Sequence, residues 1–265
     1  MVENTASAPS EIIGNARSGL FSGVNALPMG RKSQPILSKN SLLLPVSPTV
    51  IQGDVAMTLN NPEATQQALN ILRSGDQFQW YVIPLLVIVI YIYASEYEKG
   101  SYRVIAGGLA LYMVHWFVEI INALIQHFAG HALWTVPSGT AFSILVGVGI
   151  EISLMFSIAG LVACKMMLKD PAEKMFGLNN RLFFAIGNAA LASFLEIFLV
   201  QTPTFVWVYG WWGALPVFVT VYIPFFAAAC YGHDWEPRMQ KIFIGSLFSV
   251  NALALIVFGG FLKWI

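Results

Sequence analysis

Charged residues are scarce in this sequence: they make up 11% of its 265 positions, against 57% hydrophobic. A soluble domain is usually about 25% charged, so the chain cannot clothe itself in a water-facing surface of ordinary size. Lys plus Arg number 14, as do Asp plus Glu, and the formal net charge is zero. With no basic surplus to neutralise a phosphate backbone, a nucleic-acid partner is excluded. Cysteine is rarer still. Cys164 and Cys230 lie far apart, in or beside apolar runs and without CxxC spacing. Neither a structural disulfide nor a zinc knuckle is expected, and both read as small buried side chains. P-loop, GxGxxG, GxSxG, histidine-box and CxxCH patterns are missing as well, which leaves no motif for a nucleotide, a haem or a serine nucleophile. No internal repeat relates the first three apolar runs to the last three, contrary to the usual build of a secondary transporter.

What the sequence has instead is long apolar runs. Six are of spanning length: Trp80–Tyr97, Val104–Ile125, about Gly139–Leu161 with an extension toward Met167, Leu182–Val200, about Leu215–Tyr231 and Ile242–Leu262. At 1.5 Å per residue the second of these spans about 33 Å as a helix, enough for a bilayer core of roughly 30 Å. The expected fold is all-α, an integral membrane helical bundle of about six transmembrane helices over residues 76–265. Pro216 and Pro224 should kink the fifth, and Gly147, Gly149 and Gly160 should let the third approach its neighbours closely. Residues 1–75 form a different region, rich in Ser, Asn, Gly and Pro and without sustained apolar period, which predicts a largely disordered or membrane-surface segment. Within it, Asn61-Pro62-Glu63 followed by ATQQALNILRSG predicts a short helix capped by Asn61. Its apolar positions Ala68, Ile71 and Leu72 then lie on the membrane surface, or the stretch is a solvated connector.

The loops alternate in charge. Lys99 and Arg103 lie in the first, Lys165, Lys169, Lys174 and Arg181 in the third, Arg238 and Lys241 in the fifth, and no Lys or Arg in the second or fourth. Basic loops stay on the cytoplasmic side, so the odd-numbered loops are cytoplasmic and the protein belongs in the cell membrane. Both termini then face outward, which requires the N-terminal segment to be translocated without a secretory signal. The two uncharged loops, HFAGHALWTVPSG and QTPTFVWVYGWWG, are aromatic. They are either an ordinary aromatic belt or a roof that dips over a cavity.

Ionisable residues inside apolar runs are costly and so carry information. His115, Glu119 and Asn122 follow at i, i+4 and i+7, one face of a helix. Glu151 in the third run and Glu196 in the fourth fall at a matching depth, between the midplane and the outer interface. No Lys or Arg accompanies them at that depth. The electrostatic solution is that some of the glutamates are neutral while one pairs with protonated His115. A carboxylic acid in an apolar pocket can give a proton, and a neighbouring carboxylate or imidazole can take one. The alternative is that these groups are inter-helix hydrogen bonds and nothing more. His127 and His131 also stand at i, i+4 but read as interfacial side chains beside Trp134. Neither HExxH nor a paired ExxH is present, so no metal and no cofactor are expected. His233-Asp234-Trp235-Glu236-Pro237 reads as a solvated turn, and Lys263 as a side chain snorkelling beside Trp264.

Two resemblances follow from these residues. The run NNRLFFAIGNAALASFLEIFLVQTPTFVWVYGWWGALPVFVTVYIPFF is similar to an uncharacterised bacterial polytopic membrane family, over about residues 112–235. It implies a multi-pass fold and no particular activity. His115-x3-Glu119 in one helix with Glu151 in the next resembles the emopamil-binding (EXPERA) group of membrane-embedded sterol isomerases and lipid-binding relatives. That resemblance implies that His115, Glu119 and Glu151 move a proton across a carbocation, although this chain has more spans than that group.

The reading is therefore a multi-pass protein that acts as an acid/base isomerase, cyclase or hydratase on a lipophilic small molecule taken from the lipid bilayer. Glu119 and His115 form the proton-transfer pair, Glu151 is a second acid or cation stabiliser, and Glu196 and Asn122 orient the site. Trp116 and Trp211 face a developing cation with their π systems. A proton-coupled carrier or channel, or a non-catalytic assembly subunit, are the other readings, and oligomeric state stays open. The loop charges generate a test of orientation. A cysteine placed by Lys169→Cys should react with a membrane-impermeant maleimide only in permeabilised cells, and labelling of intact cells would reverse the topology.

Overall fold

Apolar runs of helical length, punctuated by Gly, Asn and Pro, become six long helices in the computed structural model, which describes residues 59–265. A short α1 (Ala64–Asn70) is followed by α2 (Val82–Glu98), α3 (Tyr102–Ala129), α4 (Ile150–Met166), α5 (Asn180–Leu199), α6 (Ala214–Asp234) and α7 (Pro237–Phe261). Four of them, α3, α5, α6 and α7, are long and apolar enough to cross a membrane. Helices α2 and α4 have 17 residues each, about 26 Å of rise. The described chain is thus mostly helical, with three two-stranded ladders in its loops.

Local chemistry sets the helix ends. The Asn179 side chain accepts the N–H groups of Arg181 and Leu182 and caps α5, satisfying donors that have no partner within the first turn. Gly130, at φ 78°, closes α3 in the left-handed conformation that a Cβ disfavours. Pro237 sits in the first turn of α7, where its missing N–H costs nothing. In α6, Phe218–Tyr222 winds as a π-helical segment just ahead of Pro224. The proline cannot donate to the carbonyl one turn back, and the wider turn absorbs that loss. A second π segment, Leu255–Phe261, ends α7.

Helix α3 is the axis of the bundle and packs on α4, α6 and α7, while α5 leans on α6 and α2 on α4. Small residues permit this. A Cβ on Gly160 of α4 would lie 2.9 Å from both Gly108 Cα and Leu111 Cβ of α3, so the two backbones touch. Cys164 and Cys230 are free and buried between helices. The third apolar run behaves differently from expectation: α4 begins only at Ile150, and Gly139–Gly149 folds as an irregular hairpin. In it β2 (Ser143–Leu145) pairs with β3 (Val148–Gly149). Gly147 and Gly149 therefore serve the hairpin, and only Gly160 serves helix contact.

The aromatic loops join across the same end of the bundle, where β1 (Trp134–Thr135) pairs antiparallel with β6 (Val206–Trp207). Residues 59–70 bind onto them. Leu59 bridges to Tyr209, the Asn60 N–H donates to Val208 C=O at 2.9 Å, and the Ala132 N–H donates to the Thr65 hydroxyl at 3.3 Å. Ala68 is fully buried in a core with Ile120, Ala123 and Leu145, so this face of α1 lies in protein. Asn61 does not cap it either: its amide donates to Trp207 C=O at 3.0 Å. The expectation of disorder over residues 1–75 lies, up to position 58, outside the described residues.

Gly160→Val should separate α3 from α4 and lower the midpoint of thermal unfolding in detergent, at a cost of about 1–3 kcal/mol for overpacking. Gly187→Ala in α5, where a Cβ meets nothing within 4 Å, should leave that midpoint unchanged or raise it. Equal behaviour of the two variants would show that the α3–α4 contact is not tight.

Candidate functional site

The polar face of α3 is closed over by protein on every side. His115 is fully buried, its ring 4.5 Å from the Phe156 ring of α4 in a stack and 5.7 Å from Phe225 of α6 edge-on. Neither ring nitrogen has a hydrogen-bond partner. Its Nδ1 stands 3.9 Å from Glu119 Oε1, close enough for an ion pair but too far for a hydrogen bond. Glu119 is buried as well, and its Oε2 has no hydrogen-bond partner. Asn122, one turn further along, uses both ends of its amide: it donates to Trp134 C=O at 2.9 Å and accepts from the Leu133 N–H at 2.8 Å. It therefore fixes the first aromatic loop onto α3 and hangs Trp134 over Glu119. Gly147 makes room for this crowding, since a Cβ there would lie 2.6 Å from Trp134 Nε1 and 2.8 Å from Glu119 Oε2.

Glu196 arrives from α5 on the other side. Its two oxygens receive the Trp207 indole N–H at 2.5 Å and the Tyr222 hydroxyl. Both oxygens of this carboxyl therefore accept hydrogen bonds, from an indole and from a phenol. Glu119 and Glu196 line one cavity of ≈ 40 Å³ with Trp134, Phe156, Phe205 and Tyr222 among its walls. That cavity meets a larger cleft of ≈ 290 Å³ between α4 and α5, and Phe156, Glu196 and Tyr222 belong to both. Glu196 thus stands where a small, mostly apolar chamber that holds both carboxyls gives onto the larger cleft.

Glu151 lies elsewhere. In the first turn of α4, its carboxylate accepts from the Thr140 hydroxyl at 2.6 Å, from the Ala141 N–H at 2.7 Å and from the Tyr81 hydroxyl. It clamps the hairpin to the start of α2 and lines neither the chamber nor the cleft. Trp116 packs edge-on against His115 and Tyr112 behind the chamber. Trp211 is 48% exposed and meets Trp212 edge-on, while the buried Trp212 stacks on Trp134. His127 stacks on Trp264 at 4.6 Å. Among the described residues, no three His, Cys, Asp or Glu side chains gather closely enough to hold a metal ion.

The opposite end of the bundle is a charge lock. Buried Arg181 forks onto Asp234 at 2.5 and 3.0 Å, and His233 Nδ1 lies 2.7 Å from the same carboxylate. Glu96 is buried against Lys165 and takes a bond from Lys99 at 3.2 Å. His233 and Asp234 are therefore part of an ion-paired network joining α5 to α6, where the sequence predicts a solvated turn. Tyr222, Trp207 and Phe156 are site residues that sequence reading passes over. The signal for Tyr222 was its place between Pro216 and Pro224, since π segments are frequent at functional sites. Trp207 was hidden by its belt-like setting.

Comparison with known proteins gives the chain's relationships. A model described as an uncharacterized membrane protein family matches residues 62–260, a span that takes in the whole chamber. An uncharacterized protein of Archaeoglobus fulgidus is 44% identical over 209 residues, covering 77% of this chain and 99% of that relative. A shorter uncharacterized protein of the same organism is 44% identical over 50 residues, 18% of this chain and 89% of its own length. No solved structure matches. These relatives are archaeal, where the sequence resemblance pointed to a bacterial family, and no match carries the emopamil-binding description.

Asn122→Leu leaves the Leu133 N–H and the Trp134 C=O without partners, each worth about 1–3 kcal/mol when buried unpaired. Limited proteolysis should then cut the 130–149 loop markedly faster than in the wild type. Unchanged cleavage would mean that Asn122 does not hold the roof down.

Proposed function

The chain belongs to an uncharacterized membrane protein family, and on that premise we propose that it is an acid/base enzyme of the cell membrane acting on a lipophilic substrate. All six long helices cross the bilayer, with the basic loops at the cytoplasmic end and the aromatic roof outside. Side chains of α2 support its inclusion: Ile83, Leu86, Val87, Ile88 and Ile90 are 46–58% exposed, an apolar surface that belongs in lipid. The pairing of Lys165 with Glu96 and of Arg181 with Asp234 supports a single basic end.

The observation that carries the reading is the placement of two carboxyls on one small chamber, with different surroundings. Glu119, with an unpartnered oxygen, is the proton donor. Glu196, with two donors on its oxygens, is the base and the counter-charge to a developing cation. In the proposed step, the Glu119 O–H bond breaks and a C–H bond forms at an alkene carbon, using the alkene's π electrons. Glu196 then removes a proton from the carbon next to the cationic centre, so the double bond re-forms one position along and no oxidant or reductant is needed. Return of that proton from Glu196 to Glu119, across the chamber that both line, restores the two groups for the next turnover. The faces of Phe156 and Tyr222 shield the cation. Glu151, fully engaged by Tyr81, Thr140 and Ala141, supports the hairpin.

A carrier would need a polar route to the basic end. Below His115, however, α3 presents Gly107, Gly108 and Leu111 in direct contact with α4, and that seam gives no such route. The test is lipid profiling of cells expressing the wild type, Glu119→Gln or Glu196→Gln at equal levels. General acid–base groups contribute roughly 100- to 10,000-fold to rate. Both variants should therefore lose one lipid product and accumulate its isomeric precursor, and identical profiles would overturn the enzyme reading.

A further inference from the structure

The cleft between α4 and α5 is shaped for a particular kind of molecule. Along α5 its wall runs from Asn188 to Leu199, about 16 Å of helix rise, parallel to the helix axes and so to surrounding lipid chains. The two helices barely touch, and Ala159 and Ala192 leave the gap between them. Leu191, Leu195 and Met155 at its rim are about half exposed, so it opens sideways. Polar groups are confined to one place. Asn188 is spent on its own helix, donating to Phe184 C=O at 2.8 Å, which leaves the Glu196–Tyr222 pair at the end nearest the aromatic roof.

We propose that this cleft binds the tail of a linear isoprenoid, which enters from the bilayer and sets a trisubstituted double bond against Glu196 where the cleft meets the chamber. The proposal rests on the acid/base reading above and names its substrate class. A groove that is long, apolar and walled by two helices suits an extended chain better than a fused ring system. It offers no polar group along its length to orient a ring substituent. The chemistry selects among chains. A carboxylic acid is a weak proton donor for carbon, so the alkene must yield a tertiary cation, which trisubstituted isoprenoid double bonds do. Disubstituted bonds of an acyl chain yield only a secondary one, and a saturated chain offers nothing to protonate. Glu196 lies in the last turn of α5, which places the reacting bond near the headgroup and lets the head emerge past Leu199 toward the interface.

Three diazirine-bearing probes test this on the purified full-length protein in lipid nanodiscs: geranylgeraniol, hexadecanol and cholesterol. Photolysis with the geranylgeraniol probe should label peptides containing Met155 or Leu195, and the other two probes should not exceed background there. Filling the gap with Ala192→Leu, or independently with Ala159→Leu, should cut labelling at least about fivefold, the low end of what overpacking a cavity costs. Circular dichroism and elution volume check that each variant is folded. Glu196→Gln should still be labelled. Labelling that ignores both fillings, or equal labelling by cholesterol or hexadecanol, would overturn the isoprenoid assignment. Loss of a lipid product in Glu196→Gln cells without cleft labelling would sink this inference alone. Specific labelling with unchanged lipid profiles would sink the enzyme reading and leave a binding site.

Discussion

A helix that carries His115, Glu119 and Asn122 on one face cannot show that face to hydrocarbon, where an unpaired polar group costs several kcal/mol. Much of the architecture serves to cover it. Gly108 and Gly160 bring α4 against α3, so that Phe156 can lie flat on the imidazole. Phe225 closes the other side from α6. Asn122 spends both its hydrogen-bonding ends on pulling down the first aromatic loop, and the second loop follows through the β1–β6 ladder. The covering is complete for Asn122 and incomplete for His115 and Glu119, whose ring nitrogens and Oε2 are buried without partners. Native structures keep few such atoms, and here three fall on adjacent turns beside a cavity.

The two ends of the bundle handle charge in opposite ways. At the basic end, buried Arg181 and Glu96 each find an opposite charge, and Gln240 further ties the start of α7 to the Gly232 and His233 carbonyls. Removing one partner from such a pair leaves an uncompensated charge, a loss of about 3–5 kcal/mol, so this end sets the register of α5, α6 and α7. At the aromatic end Glu196 meets the uncharged Trp207 and Tyr222 donors, and Glu119 faces the His115 ring at 3.9 Å. A rigid, ion-paired base and a chamber free of permanent counter-ions are what a site needs if charge is to appear there transiently, since fixed dipoles aimed at developing charge need no reorganisation.

The helices were legible because hydrocarbon demands long uninterrupted apolar runs, and α3, α5, α6 and α7 occupy nearly the stretches expected of them. Gly139–Gly149 reads as part of a span for a physical reason. A hairpin buried beneath two other loops has the composition of a core, and composition alone cannot tell it from a span. α1 packs on protein where its sequence suits a membrane surface for the same cause, because its small apolar face fits either. Of the site, depth was readable and azimuth was not. Rise per residue puts Glu151 and Glu196 in similar layers, but the packing of α4 on α3 and of α5 on α6 decides which one turns inward. Glu196 does so, and Glu151 turns to Tyr81 and Thr140.

Tyr222 shows why the remainder could not be read from spacing. A regular helix keeps one face inward every 3.6 residues, and a π segment adds a residue to the turn and shifts that face. With Phe218–Tyr222 wound this way, Val217, Val221, Tyr222, Phe225 and Phe226 are all buried, a broader inward arc than a uniform α-helix of this composition would present. Pro224 supplies the cause, because it lacks the N–H that would hold the preceding turn in α geometry. The consequence falls on Glu196, whose second donor exists only because the phenol is rotated into the bundle. A π segment just ahead of Pro224 thus accompanies the phenol that fixes Glu196, while Glu119 keeps an open oxygen. The proposed division into an acid and a base rests on that asymmetry between Glu196 and Glu119, two chemically identical groups in different surroundings.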